Sequence, residues 1–341
     1  MFRGWECFMR DSLREVCEKF IQNRDNAHEA FKWNSSTYLI PVCAAMLTGS
    51  NERVNVYRLE ECKSLLKSGV GVFSNFKGNA FPALVTQLAL DENPQERLRK
   101  AVLMHDLLKQ HFYGSAYLPL AAMVLSGMVA EGRFSEVAER AGRIYKKMKA
   151  EHPFLTSSED CVYAGLMALS GLTDEQLIQE AENCYKLLKE EFYDSNACQS
   201  LSHVLALCEG SAGSKCRAVF DLYQGLREKK YKYGTGYELA TLGVLALLPQ
   251  GKAAVMADLI EVDSYLSMQK GYGFFGLTKR QRLMHAGMLL VSELLEGECG
   301  EQKELYMNAM TNSAVAMMIA AQQAAMCAAV AATAAAQSAA T

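Results

Sequence analysis

Ala121-Ala-Met-Val-Leu-Ser-Gly127 ends on a phrase, Leu125-Ser126-Gly127, that returns as Leu47-Thr48-Gly49 and Leu169-Ser170-Gly171. Each copy closes a stretch rich in Ala, Met and Leu, and the copies lie 78 and 44 residues apart, about two units and one unit of a repeat. A repeat of that length is one supersecondary unit that cannot bury its own apolar face and must stack on its neighbours. The stretch is also apolar on all sides, as is Leu239-Ala-Thr-Leu-Gly-Val-Leu-Ala-Leu-Leu248. A helix with no polar face has neighbours all round.

The remaining units follow from helix-start chemistry, in which a Ser, Thr, Asn or Asp side chain takes up an unpaired backbone N–H. Candidate caps stand at Ser36, Asn79, Ser115, Ser158, Ser195, Thr235 and Thr278, separated by 43, 36, 43, 37, 40 and 43 residues. Between the apolar helices they introduce run more charged segments anchored by Leu66, Leu108, Met148, Leu188, Leu226 and Leu266, with Arg10 to Phe31 as the first. In these, Tyr145, Tyr185 and Tyr223 share the face of their anchors while Lys146, Lys147, Lys186 and Glu190 point elsewhere. The pattern predicts an all-α chain: a right-handed solenoid of about seven two-helix repeats with a period near 40 residues, apolar helices inside, forming one elongated body over 1–304.

Residues 305–341 hold no charged side chain, and Ala dominates from Ala314 onward. Ala is the best helix former, so a C-terminal helix is expected, used for capping or self-association. It would be roughly 45 Å long. Gln322-Gln323 at its middle and the lack of a flanking Lys or Arg argue against a membrane span.

The cadence, the Leu-Ser-Gly phrases and the Ala-rich end together resemble an uncharacterised bacterial domain-of-unknown-function family, the one numbered 4003. The resemblance extends over nearly the whole chain and implies a bacterial cytosolic all-α protein, with no functional residues to carry over. At the level of architecture the chain also resembles two-helix repeats of the HEAT and armadillo kind more than the 34-residue tetratricopeptide unit, whose Trp-x2-Leu-Gly-x2-Tyr pattern is absent.

Composition narrows the function classes. A net charge of -3 offers no global attraction to nucleic acid or anionic membranes. Arg3, Arg10 and Arg14 interrupt the N-terminal region, so no secretory signal is read there, and a cytoplasmic setting is expected. Eleven Cys occur without a Cys-x2-Cys pair and behave as small buried hydrophobes in a reducing compartment. His203, Cys208 and Cys216 match no zinc spacing, and no cofactor or metal is expected. No Gly-x-Ser-x-Gly, Walker A or His-Glu-x2-His sequence is present, so the chain reads as a non-enzyme.

Two loops carry what chemistry there is. Gly271-Tyr-Gly273-Phe-Phe-Gly276 has dinucleotide-fingerprint spacing, but a helix precedes it where the fingerprint needs a strand. It leads into Thr278-Lys279-Arg280-Gln281-Arg282, where Thr278 and Gln281 make a capping box and three cations flank a helix N-terminus able to hold an anion or acidic peptide. Tyr272, Phe274, Phe275, Lys279, Arg280, Arg282 and, deeper in the following helix, His285 are therefore the first candidate set. The second is Lys230, Tyr231, Lys232, Tyr233 and Tyr237, where aromatics alternate with lysines as in single-strand binders. The competing account makes both loops solvated helix ends and His285 a core residue. The reading favoured is a scaffold or adaptor for a protein or peptide partner, gripped along a curved repeat surface. The alternative is a small-ligand receptor or enzyme with a pocket near 271–282, followed by nucleic-acid binding.

Overall fold

The computed structural model describes residues 9–32, 39–50, 54–72, 74–272 and 277–297. The Ala-rich tail, Trp5, Ser36 and the Phe274–Phe275 pair lie outside them. Fourteen α-helices and no strand occur among the described residues: α1 Asp11–Phe31, α2 Leu39–Thr48, α3 Val56–Gly69, α4 Phe81–Ala89, α5 Pro94–Leu108, α6 Leu118–Met128 and α7 Phe134–Glu151. The series continues with α8 Asp160–Met167, α9 Asp174–Glu191, α10 Ser195–Ala206, α11 Ala212–Glu228, α12 Leu239–Ala246, α13 Gly251–Ser267 and α14 Lys279–Gly297. No described helix is long and apolar enough to cross a membrane.

Apolar patterning sorts the helices into two layers. The even-numbered helices are buried at almost every position, all ten residues of α2 among them. The odd-numbered ones bury a single face, on which the anchors Leu66, Leu108, Met148, Leu188, Leu226 and Leu266 are all shielded. Each odd helix packs on the even helix that follows it, and neighbours within a layer pack in sequence order.

Both layers close on themselves. α14 packs against α2 and α13 against α1, so seven inner helices stand inside seven outer ones. The seam is bonded as well as packed: Ser292 donates to the Ala45 carbonyl at 3.0 Å, while Arg10 reaches both Glu293 oxygens at 2.9 Å and Asp258 at 2.6 Å. An elongated body with two free ends is therefore corrected. The first pair, with α2 buried at all ten positions, has no polar end face of the kind an open end needs.

The short connections make the helices alternate in direction, so the odd-to-even linkers emerge on one face of the ring and the even-to-odd linkers on the other. On the second face, cations near the starts of outer helices seal the ends of inner ones. Arg58 donates to the Asp91 carbonyl, Arg97 to Met123, Arg140 to Ala168, Ser170 and Leu172, and Lys215 to Leu205 and Cys208. The carbonyl end of a helix carries its negative dipole, so a cation that donates there is favourably placed.

Helix starts also differ between layers. Asn55, Asn93, Thr173 and Ser211 cap outer helices α3, α5, α9 and α11 through their side chains. The inner helices α4, α6, α8 and α12 start at Ala80, Tyr117, Glu159 and Glu238 with no side-chain cap bond. The expected caps Asn79, Ser158 and Thr235 thus make no cap bond; Ser115 accepts the N–H of Tyr117, just before α6, at 3.3 Å; and Ser195 is the first residue of α10, capped instead by Asp194. Burial of a wholly apolar helix fixes where it begins, and the cap becomes dispensable. Thr278 does cap α14: its backbone N–H donates to the Gln281 side chain at 2.9 Å, and the Gln281 N–H donates to the Thr278 hydroxyl at 3.3 Å.

Candidate functional site

Two odd-to-even linkers, 229–238 and 268–278, meet the start of α14 on one face of the ring. Between 229–232, the end of α13 and the first turn of α14 lies a cavity of about 790 Å³. Lys230, Tyr231 and Lys232 line it together with Lys279, Arg280 and Arg282, so the structure brings parts of both candidate sets to one place. One helix pair separates them in sequence, and stacking of neighbouring pairs makes them adjacent.

Arg282 is committed within the cavity. Its guanidinium forks onto buried Asp263 at 2.7 and 3.0 Å, which fixes its orientation. Lys229, Lys230, Lys232, Lys279 and Arg280 form no ion pair among the described residues, although Glu238 lies near enough to Arg280 to feel its charge. That carboxyl is itself buried and accepts the Gly236 backbone N–H. Burial raises its pKa above the usual carboxylate range, with Arg280 acting in the opposite direction.

The other candidates turn away from the cavity. Tyr272 is buried against α14, where its hydroxyl pairs with His285 Nδ1 at 2.9 Å and the rings meet edge to face. Burial pushes the His285 pKa down to about 3, which keeps the imidazole neutral. Tyr272 also borders a second cavity, of about 470 Å³, alongside Arg24, His28 and Pro41. Tyr233 is buried with its hydroxyl unpartnered and its pKa raised by burial, whereas Tyr237 is partly exposed on the rim. Phe274 and Phe275 lie outside the described residues.

One polar cluster on the same face was not singled out by sequence. At the start of α8, Asp160 accepts the Ser157 N–H at 2.7 Å and lies 3.4 Å from His203 Nδ1, whose ring faces Tyr163. Glu159 beside it has a pKa raised to about 7, first by burial and then by the Asp160 charge. Asp160 and His203 stand 43 residues apart, close to the spacing of the expected helix starts, which was the available signal. Both are almost wholly buried between α8 and α10, and His203 Nδ1 has no hydrogen-bond partner there. Among the described residues no group of three His, Cys, Asp or Glu side chains is placed to hold a metal.

Comparison with known proteins adds family but no chemistry. A sequence profile for a family described as "Protein of unknown function (DUF4003)" matches residues 23–324. The uncharacterized protein YeaA of Bacillus subtilis (strain 168) is 25% identical over 321 residues, spanning 91% of this chain and 92% of YeaA. No solved structure matches the chain.

Proposed function

This chain belongs to the DUF4003 family, and from that premise we propose that it is a non-enzymatic helical-repeat adaptor: seven two-helix repeats of about 40 residues, closed into a ring, that dock an acidic protein partner on one face in the cytoplasm. The inner helices are buried at nearly every position, so this reading places recognition on the rim rather than on their flanks.

One observation carries this reading. The odd-to-even linkers present Val72, Tyr113, Phe154, Tyr193, Tyr237 and Met268 in turn, at exposures of 78, 98, 101, 97, 38 and 76%. Six consecutive linkers thus each hold one large apolar side chain in solvent, at a period set by the helix pairs. Scattered exposed hydrophobics need no explanation, but a regular crown of them, mostly aromatic, has the composition of an interface. The described residues of these six linkers also contain six lysines against three carboxylates, which favours an acidic partner.

The test is site-specific photo-crosslinking in the native host, with the reactive residue placed in turn at 113, 154, 193 and, as control, at 57. Tyr57 is 86% exposed but opens α3 on the opposite face. A common adduct from the three rim positions, absent at 57 and lost at high salt, is the expected result. Adducts without a common partner, or equal labelling at 57, would remove the docking face. The small-ligand reading is favoured by a separate observation, the cationic cavity.

A further inference from the structure

We propose that the cavity between the 229–238 linker and the start of α14 is a binding site for a small polyanion bearing several phosphate groups. Four lysines and two arginines converge on it from a linker and a helix start, and only Arg282 has its counter-ion. Elsewhere the ring spends its cations: Arg58, Arg97, Arg140 and Lys215 all close helix ends. Like charges held in a concavity repel one another and focus positive potential outward, and a bound anion relieves that repulsion. The N-terminus of α14 adds its dipole in the same sense.

The backbone supplies an independent argument. α11 ends in a Schellman turn: the Tyr231 N–H donates to the Leu226 carbonyl at 2.8 Å and the Lys230 N–H to Arg227 at 2.9 Å. The residue at the left-handed position of that turn is Lys230, with φ 66°; all the other described residues with positive φ are glycines. Glycine occupies such a position without strain and lysine does not. The strained lysine lines the cavity, and its ammonium has no ion-pair partner among the described residues.

Size and lining define the ligand class. A volume of about 790 Å³ fits a small molecule of nucleotide dimensions. Partly buried Tyr231 and buried Leu283 give it an apolar wall. Lysine ammoniums, the commoner cations here, are point donors suited to phosphate oxygens, and of the two arginine forks that would match planar carboxylates that of Arg282 is already filled by Asp263. Five cations without ion pairs suit a ligand carrying about four negative charges, the charge of a triphosphate group.

Isothermal titration of the full chain with sodium tripolyphosphate tests this, using Lys230→Gly, the double variant Lys279→Ala/Arg280→Ala, and Lys109→Ala on another linker of the same face. One site per chain is expected. Affinity should fall about tenfold in Lys230→Gly, more in the double variant, and not in Lys109→Ala. Because Lys230→Gly relaxes the turn, its melting temperature should hold or rise, which separates lost binding from lost folding. Full affinity in Lys230→Gly, or an equal loss in Lys109→Ala, overturns the site. A single-stranded oligonucleotide that outcompetes tripolyphosphate with affinity growing with length also overturns it, in favour of a nucleic-acid track. None of these outcomes depends on the crosslinking result for the rim.

Discussion

The two faces of the ring are built from the same helices and differ in nearly every other respect. The described even-to-odd linkers contain no aromatic residue, whereas the odd-to-even linkers contain eleven. On the first face, side chains cap four outer helices and cations, of which Lys215 is buried, close the inner ones. On the second, four inner helices start uncapped, lysines predominate and aromatics stand in solvent. One face holds the fold together, and the other is free to vary its chemistry because inner-helix burial already fixes where its linkers begin and end.

Substitutions can break this contrast. The largest effect is expected at Lys215, which is 1% exposed, donates to the Leu205 carbonyl of α10 and the Cys208 carbonyl just beyond it, and lies 2.7 Å from Glu180. Lys215→Ala should cost about 3 kcal/mol in urea unfolding, since it orphans buried acceptors. A loss no greater than that of an open-face variant would dissolve the distinction.

On the open face, Glu159 supplies a pH-dependent difference. Its folded pKa of about 7 exceeds the ordinary carboxylate value, so the folded chain holds this proton more tightly than the unfolded one. Its contribution is therefore favourable at low pH and lost as pH rises from about 4.5 to 7. Glu159→Gln should be more stable than the parent by about 1–3 kcal/mol at pH 8 and equal to it near pH 4. Thermal melts across that range provide the comparison, and a pH-independent difference would count against the buried carboxyl.

Smaller effects sharpen the picture. Asn93→Ala removes an outer-helix cap that accepts the Glu96 N–H at 3.2 Å and should cost about 1 kcal/mol by denaturant titration. Phe154→Ser, on the open face, should fall within about 0.5 kcal/mol of the parent, because its ring is fully exposed and packs on nothing. A clear loss there would mean that the rim aromatics support the fold.

The alternation of wholly apolar and one-faced helices was legible because burial on all sides and on one side leave different periodicities; Leu239–Leu248 and the Leu188 anchor show each kind. Closure was not legible as a number, since it depends on a small rotation added at every pair. A qualitative sign was available in α2, which is as apolar as any interior helix and so could not face solvent at an open end. Caps misled for a physical reason: Ser115 and Thr235 are good caps beside helices whose starts are set by burial. The site was half legible. Lys230 and Lys279 could each be picked out by charge, but only stacking of neighbouring pairs puts them on one cavity, and the same stacking turns Tyr272 and His285 inward.

The Arg10 seam imposes an order on synthesis. α1 and α2 leave the ribosome first, yet their partner helix begins roughly 230 residues later, a delay of about 10–50 s at ordinary translation rates. For that interval the wholly apolar α2 waits with one flank uncovered, until α14 arrives and Glu293 meets Arg10.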